Sequence, residues 1–363
     1  MRDLAQPVDE SRTRSPDLGK VVTLRSCGNV QRRFVMKRLY PLVVYVFLML
    51  LGTSSYADPS AEKMLNAIVK IKATVPKEAF TANTLGTERE GHGVLIDTEG
   101  HILTIGYLIT EAETIEVTGP EGRTVDATPV GYDQKTGFGL LRMAKSLGVA
   151  PMKLGESSKV KEGDPLVVAG YGGADSVIAA WVVSRKEFAG YWEYLLEDPI
   201  ITAPAYLNFG GAALIDPKGE LVGIGSLFTQ LAIPGLGAVN CTLFVPIDLV
   251  KPILDDLKTR GRSRVPPRPW LGINAEETHG RVFITQVTSG GPAEKGGLRT
   301  DDLVLMVKGK PVVGLADFYR KIWGLGTAGI DVPLTILRGV KIQEMKIRSG
   351  DRYQFLLIRM KKT

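Results

Sequence analysis

Short apolar runs, each ended by Gly, Pro or Asp, constrain the fold of this chain more than any other sequence feature. In residues 91–109, GHGVLIDTEGHILTIGYLI, two such runs flank the turn-forming residues 97–100. Two more flank residues 119–122, and similar runs recur as far as residue 247. Apolar runs of this length between turn residues are typical of β-hairpins, and many in succession indicate a barrel or a sandwich. The sequence therefore predicts a mainly β fold here.

One later segment has a helical pattern instead. Residues 246–261, PIDLVKPILDDLKTRG, carry apolar side chains at helical spacing and end in Gly261. The predicted apolar face consists of Leu249, Ile253, Leu254 and Leu257. A basic, proline-rich stretch typical of a linker, RSRVPPRP, follows from residue 262. The sequence thus predicts a first domain over residues 58–260, a linker over 261–268 and a second domain over 269–363.

The N-terminal residues 1–57 look like an extension with a targeting segment. Met36 to Arg38 open a short basic region, residues 39–51 are an apolar run, and Ser55 and Ala57 supply small residues after it. This order is that of a secretory signal peptide over 36–57, cleaved after Ala57. An apolar run this short is poorly suited to spanning a bilayer as a helix, but an uncleaved membrane anchor stays open as an alternative. Export is therefore expected.

The charge of the chain gives no reason to expect nucleic acid. The formal net charge is +6, but residues 1–57 hold nine Lys and Arg against four Asp and Glu. The rest of the chain, with 36 basic and 35 acidic residues, is close to neutral. A near-neutral chain lacks the basic surface that nucleic-acid binding needs.

Metal and cofactor chemistry is not indicated either. The chain has three histidines and two cysteines, and only Cys241 lies beyond residue 57. Cys241 stands in the apolar run AVNCTLFVPI, which favours a buried structural thiol over a reactive one. No Cys or His cluster has metal-ligand spacing. We therefore expect no metal site and no cofactor.

Two sets of motifs resemble the HtrA (Deg) family. GHGVLIDTEGHILT, GYDQKTGFGLLRM, MKLGESSKVKEGDPLVVAGY and ALIDPKGELVGIGS lie within residues 83–248, in the order and spacing of the family's trypsin-like domain. RPWLGI, VTSGGPAEKGGLRTDDLVLMVKGKPV, DFYRKIWG and VPLTILRG lie within 266–363 and resemble the PDZ domain that follows in that family. The resemblance implies a mainly β protein: a chymotrypsin-like double β-barrel followed by an α+β PDZ domain. It also implies a periplasmic location.

The family's catalytic triad has no counterpart at the matching positions. The histidine position falls on Tyr107, the aspartate position on Gly137 and the serine position on Gly210. A hydroxyl nucleophile needs an adjacent base, and a phenol with a pKa near about 10 cannot act as imidazole does. The resemblance therefore implies a degenerate protease domain without catalytic residues.

Other polar residues near these motifs have simpler interpretations. His92 and His101 are expected as exposed residues at strand ends, and Asp133 is expected in a turn, four residues before the aspartate position. Ser226 would line the family's substrate cleft, with no base visible beside it in the sequence. None of these residues offers an obvious substitute triad.

The PDZ match predicts a peptide-binding groove. PDZ domains add a partner's C-terminal strand to a sheet edge and hold its carboxylate with backbone amides. The motif RPWLGI places Trp270, Leu271, Gly272 and Ile273 at that carboxylate loop and edge. The other wall is predicted to be a helix over residues 315–323, with Phe318 and Ile322 on its inward face. Contribution to the core alone is the other interpretation of these apolar side chains.

The combined hypothesis is an exported pseudoprotease that binds peptides or unfolded protein C-termini through its PDZ domain, as a scaffold, adaptor or holdase. Two alternatives stay open: an active serine endopeptidase of envelope quality control, and a regulatory subunit of a catalytic HtrA relative. The family resemblance also implies a homo-oligomer, such as a trimer, or a hetero-oligomer with that relative. Residues 61–80, AEKMLNAIVKIKATVPKEAF, are expected to precede the barrel and could form such a contact.

The signal peptide gives the first testable expectation. Because the basic, apolar and small-residue regions occur in order, cleavage should leave Asp58 as the first residue. N-terminal sequencing of the purified envelope fraction should return Asp58. Recovery of Met1 or Met36 on a soluble protein would contradict it.

Overall fold

A computed structural model describes residues 59–233, 235 and 237–356. The predicted signal peptide, residues 36–57, lies outside them. Within the described residues, none of the helices combines the length and apolar character that crossing a bilayer requires.

The first six strands close into a barrel. They are β1 (Ile68–Thr74), β2 (Glu88–Leu95), β3 (His101–Ile105), β4 (Thr114–Thr118), β5 (Thr124–Tyr132) and β6 (Phe138–Met143). Their order around the barrel is β1-β2-β3-β6-β5-β4. The predicted turn at 97–100 does join two antiparallel strands, β2 and β3. Asp97 fixes this turn, because its Oδ1 accepts hydrogen bonds from the amides of Glu99 and His101.

A second barrel follows, also of six strands. Its members are β7 (Pro165–Ala169), β8 (Val177–Ser184), β11 (Ile200–Ala203), β12 (Ala213–Ile215), β13 (Leu221–Ile233) and β14 (Gly237–Pro246). They close in the order β11-β14-β13-β12-β7-β8. Between β8 and β11, strands β9 (Phe188–Gly190) and β10 (Tyr194–Leu196) form a separate hairpin. Two closed barrels confirm the predicted double-barrel architecture.

The segment over residues 61–80 differs from its prediction. It does not precede the barrel, since it supplies β1, which pairs with β2 and β4 on either side. Inward-facing Ile71 and Ala73 alternate with outward lysines, which is the pattern of a strand buried on one face. Helix α1 (Pro59–Leu65) comes before β1, and α2 (Ala82–Leu85) lies between β1 and β2.

The helix expected over residues 246–261 is shorter than predicted. Two short 3₁₀ turns, Ile247–Leu249 and Lys251–Ile253, precede a helix α3 that covers only Leu254–Arg260. Pro252 explains the break, because it has no amide hydrogen and its ring clashes with a helical carbonyl four residues earlier. Leu249 is therefore exposed rather than on a buried face. The helix does end at Gly261, which has φ 74°.

The remaining strands and helices form the PDZ fold. They are β15 (Ile273–Thr278), β16 (Arg281–Val287), α4 (Pro292–Lys295), β17 (Leu303–Val307), β18 (Lys310–Pro311), α5 (Leu315–Trp323), β19 (Asp331–Arg338) and β20 (Lys341–Arg348). The sheet runs β15-β16-β17-β19-β20, with β18 paired to β17. Strand β15 is thus an edge strand. The predicted helix over residues 315–323 is confirmed as α5.

The backbone of the loop between β11 and β12 is in direct contact with the backbone of both barrels. Gly211 has φ 77°, and a Cβ built there would lie 1.8 Å from the carbonyl oxygen of His92 in β2. Only glycine fits, for both conformational and steric reasons. This contact fixes the loop that carries Gly210, because the Gly210 carbonyl accepts a hydrogen bond from the His92 amide at 2.8 Å.

Gly211→Ala should therefore destabilise the fold strongly. The positive φ costs about 1–2 kcal/mol for a residue with a Cβ, and the clash with the His92 backbone adds a further cost, for a total of more than about 3 kcal/mol. Gly122→Ala is the matched control, since Gly122 has φ 76° with nothing within 4 Å of a Cβ. Chemical denaturation followed by circular dichroism measures both. Equal losses in the two variants would disprove the close-approach argument.

Candidate functional site

Tyr107 fills the cleft between the two barrels at the position of the family's histidine. It lies in the short 3₁₀ turn Gly106–Leu108 after β3, and its side chain is half-buried. Its hydroxyl donates to the carbonyl oxygen of Ser226 in β13, at 3.0 Å. Burial raises the pKa of the Tyr107 phenol well above its ordinary value of 10.0. Tyr107 is therefore a neutral hydrogen-bond donor at neutral pH and not a base.

Gly210 lies directly against this tyrosine. A Cβ built on Gly210 would be 3.0 Å from the Tyr107 hydroxyl. The structure thus brings two of the three triad-equivalent positions together, at the distance expected for side chains in one site. Neither offers a nucleophile, since position 210 has no side chain.

Gly137 lies at the same end of the cleft. Its carbonyl accepts a hydrogen bond from the amide of Gly106, next to Tyr107, at 2.7 Å. Gly137 has φ 84°, and a Cβ there would lie 3.3 Å from the hydroxyl of Tyr194. That hydroxyl donates to the carbonyl of Thr136 at 2.7 Å. Tyr194 therefore takes up space beside position 137 that an aspartate side chain would need.

The prediction of exposed strand-end histidines is wrong, because His92 and His101 are both buried and His92 lies within β2. His92 is close to the loop of Gly210, and backbone groups engage its ring. Its Nδ1 accepts from the amide of Tyr171 at 3.0 Å, and the ring also hydrogen-bonds to the backbone of Asn208. One nitrogen accepting and the other donating defines a neutral imidazole. Burial lowers the pKa of His92 and keeps it neutral, opposed by the Asn208 contact and Glu90. His92 thus supports the loop.

The other residues weighed from the sequence are structural. Asp133 is in a turn, as expected, where its Oδ2 accepts from both the amide and the hydroxyl of Thr136. Ser226 is buried and contributes its carbonyl to Tyr107. Cys241 is fully buried in β14, which confirms its expected structural role.

His101 belongs to a separate cluster that the sequence did not predict. A carboxylate oxygen each of Asp97 and Glu99 and a ring nitrogen of His101, atoms that could hold a metal ion, lie within 4.8 Å of one another. Lys258 from α3 enters this cluster, with Nζ 2.7 Å from Asp97 Oδ2. Hydrogen bonds from Lys258 and His101 hold the pKa of Asp97 below its ordinary value, although burial acts in the opposite direction. The cluster therefore already has a cation, and it joins α3 to the first barrel.

Residues 270–273, the predicted carboxylate loop, lie between the barrels and β15 with a left-handed glycine among buried side chains. Trp270, Leu271 and Ile273 are buried, and Gly272 between them has φ 78°. A Cβ on Gly272 would lie 3.1 Å from the Trp270 ring. This conformation turns three successive backbone amides, those of Leu271, Gly272 and Ile273, toward one point.

A carboxylate occupies that point, and it comes from the same chain. Glu193 Oε1 accepts from the amide of Leu271 at 2.8 Å, and its Oε2 accepts from Gly272 at 2.8 Å and Ile273 at 3.2 Å. Burial raises the pKa of Glu193 to about 7, while the three amides oppose that shift. Both carboxylate oxygens accept hydrogen bonds, which is the geometry of an ionised carboxylate. The ionised form predominates when the pH is above this pKa.

The helical wall of the groove is also in contact with the hairpin of Glu193. Phe318 and Ile322 on α5 are fully buried, as their predicted inward face requires. They share one apolar cluster with Leu271, Ile273 and, from the hairpin, Leu195. Tyr319 adds two polar contacts, since its hydroxyl donates to the Gly190 carbonyl at 2.9 Å and accepts from the Glu193 amide at 3.2 Å.

Sequence reasoning identified the loop and the helix but missed Glu193 and Tyr319. The available signal was the composition of residues 188–196, FAGYWEYLL, in which one carboxylate lies within an aromatic and apolar run. Charged residues in such runs are seldom buried unless they have partners. That pattern indicates a paired carboxylate without indicating its partner.

Comparison with known proteins agrees with this architecture. Residues 91–224 match the trypsin-like peptidase domain family, and residues 269–348 match the PDZ domain family. A probable periplasmic serine endoprotease, DegP-like, of Pseudomonas putida (strain GB-1) is 31% identical over 280 residues, covering 72% of this chain and 56% of that protein. The periplasmic pH-dependent serine endoprotease DegQ of Escherichia coli (strain K12) is 26% identical over 321 residues, covering 80% and 69%. This chain therefore spans little more than half the length of the first relative.

A solved serine endoprotease from Yersinia pestis is 22% identical, with a TM-score of 0.48, covering 81% of this chain and 99% of that one. The double barrel and its cleft define a trypsin-like domain, here followed by a PDZ domain. The two domain matches and the DegP-like and DegQ relatives show that the chain belongs to the HtrA family.

Restoring the serine alone should not restore a reactive nucleophile. In Gly210→Ser the new hydroxyl would adjoin Tyr107, which already donates to Ser226 and is not a base. We expect labelling by a fluorophosphonate at least about 10³-fold slower than in a catalytic HtrA relative. Gly210→Ala is the matched control. Labelling of Gly210→Ser at position 210, absent in the control, at a rate within about 10³-fold of the catalytic relative would contradict this reading of the cleft.

Proposed function

We propose that this protein is a non-catalytic member of the HtrA family that binds peptides or unfolded protein C-termini through its PDZ domain. The observation that carries the proposal is the convergence of the Leu271, Gly272 and Ile273 amides on one carboxylate. Backbone amides in this arrangement are a carboxylate-binding device, and PDZ domains use it for chain termini. The protein would act as a scaffold, adaptor or holdase.

The cleft between the barrels supports the non-catalytic part of the proposal. The positions that match the triad hold Tyr107, Gly137 and Gly210, and a hydrogen bond from Tyr107 to Ser226 crosses the cleft. Covalent catalysis needs a nucleophile, a base and an orienting group in one place. An active endopeptidase is the alternative, and turnover of an unfolded substrate such as casein distinguishes the two.

The apolar groove supports a specific ligand class. The cluster of Leu271, Ile273, Phe318 and Ile322 lies beside the carboxylate loop, so it can receive the last side chain of a bound strand. The ligand is therefore a C-terminus with a free carboxylate and an apolar last residue. The relatives are named periplasmic, which supports an exported protein that meets such termini in the envelope.

A regulatory role beside a catalytic HtrA relative is compatible with the same groove. In that case the protein would form part of a hetero-oligomer, and otherwise a homo-oligomer such as a trimer. Co-purification with a catalytic relative from the cell envelope would support the regulatory subunit.

Binding should depend on the peptide carboxylate. Calorimetry at pH 8 would use the chain from Asp58 to Thr363 and a decapeptide ending in Leu, in free and amidated forms. A charge-assisted hydrogen bond contributes about 1.5–3 kcal/mol, so the free peptide should bind about ten- to hundredfold more tightly.

The same titrations on Glu193→Ala remove the resident carboxylate from the loop and leave the loop amides in place. A peptide that ends in Lys is the specificity control and should bind more weakly than the Leu peptide. If free and amidated peptides bind equally, or neither binds, in both proteins, the proposed peptide-binding function is wrong.

A further inference from the structure

The hairpin of β9 and β10 lies in the PDZ groove in the register of a bound peptide. Glu193 meets the amides of residues 271–273, and two residues earlier the carbonyl of Tyr191 accepts from the Ala275 amide at 2.8 Å. The turn 191–193 therefore contacts the edge of β15 at two points, and its direction from 191 to 193 is opposite to that of the strand. A PDZ ligand likewise lies antiparallel along the sheet edge, with its terminal carboxylate at the amide loop.

The side chain of Glu193 takes the place that a terminal carboxylate would have. A true ligand would end at this position, whereas the hairpin has to continue into β10. The backbone turns there, because Glu193 has φ 58°. The third residue of a three-residue hairpin loop commonly adopts this left-handed conformation, but Gly is the residue that favours it. The left-handed backbone conformation is strained for a glutamate, but its carboxylate makes three hydrogen bonds there. This combination indicates a specific role for the carboxylate.

Both walls of the groove are engaged by this hairpin. At the sheet edge the contacts are those of Glu193 and Tyr191. At the helix, Leu195 and Ala189 pack on the apolar cluster of α5. Glu187 at the rim adds an ion pair with Arg320. A peptide cannot occupy the same amides and the same apolar surface while the hairpin is docked.

We propose that residues 188–196 are a resident pseudo-ligand that closes the PDZ groove and must leave before a partner's C-terminus can bind. This inference rests on the proposed function, since it concerns the regulation of the same groove. The competing ligand is a chain terminus whose carboxylate replaces that of Glu193 and whose apolar last side chain replaces Leu195.

The closed groove lowers the apparent affinity for peptides. The apparent dissociation constant is the intrinsic one divided by the fraction of molecules in the open form. If about one molecule in ten to one in a hundred is open, affinity falls by about ten- to hundredfold. Removing the Glu193 carboxylate raises the open fraction and should recover that factor.

The first arm of the test needs no ligand. Hydrogen–deuterium exchange, read by mass spectrometry, follows the segments 270–275 and 188–196 in the native chain, Glu193→Ala and Glu197→Ala. Glu197 is the matched control, an exposed glutamate four residues after Glu193 and just outside segment 188–196. We expect exchange in both segments to be at least about tenfold faster in Glu193→Ala than in the other two proteins, because the amides of 271–273 lose their partner. A thermal melt of each protein verifies that it is folded.

The second arm measures competition. The free decapeptide ending in Leu should bind Glu193→Ala about ten- to hundredfold more tightly than the native chain or Glu197→Ala. Saturating peptide should also accelerate exchange in segment 188–196 of the native chain, because a bound strand displaces the hairpin.

The outcomes separate this inference from the proposed function. Equal peptide affinity in Glu193→Ala and the native chain, with a clear preference for the free carboxylate, overturns the pseudo-ligand and leaves peptide binding intact. Absence of carboxylate-dependent binding in both proteins overturns the proposed function. In that case the exchange arm alone decides whether residues 188–196 close the groove, and equal exchange in all three proteins would refute it.

Discussion

The hydrogen bonds between the Glu193 carboxylate and three consecutive amides connect the second barrel to the PDZ domain. A buried carboxylate without partners would cost several kcal/mol, and three buried amides without acceptors would carry a comparable cost. Each group therefore satisfies the other. Removing one of them would leave the other without a partner, which makes this contact the polar centre of the interface between the two domains.

The same hairpin also contacts the cleft between the two barrels. Glu193, at the end of the turn, hydrogen-bonds to the PDZ loop, whereas the next residue, Tyr194 at the start of β10, reaches Gly137. Tyr107 closes the cleft from the other side through its hydrogen bond to Ser226. Two tyrosines thus take up space at the site of the chemistry. Packing and hydrogen bonds thus fill the cleft at the positions that match the family's triad.

Much of the fold could be predicted because its signals are local. Turn residues between apolar runs gave the hairpins, and the spacing of Phe318 and Ile322 gave α5. Strand β1 was misjudged because its place in the barrel depends on pairing with β2 and β4, which the alternation in residues 68–74 does not specify. The helix predicted over residues 246–261 is interrupted at Pro252. The apolar spacing predicts a continuous helix, but proline has no amide hydrogen to continue it.

The carboxylate loop was predictable in part for the same reason. The motif around Gly272 marks a turn that exposes amides, but nothing local states what they bind. Glu193 is 78 residues from Leu271 along the chain, and a contact over that separation cannot be inferred from a run of aromatic residues. The receptor side of the proposed groove could thus be predicted from local sequence, whereas its proposed occupant depends on a long-range contact.

Contacts that do not involve Glu193 also link the PDZ domain to the first barrel and to the linker. The hydroxyl of Tyr353, after the last PDZ strand, accepts from the Gln134 amide at 2.9 Å in the first barrel. In the linker, the Arg268 guanidinium lies 4.2 Å from the centre of the Trp323 ring at the end of α5. Neither contact involves a residue of the hairpin 188–196. If the hairpin leaves as proposed, exposure of the groove would be a local change that leaves both contacts in place.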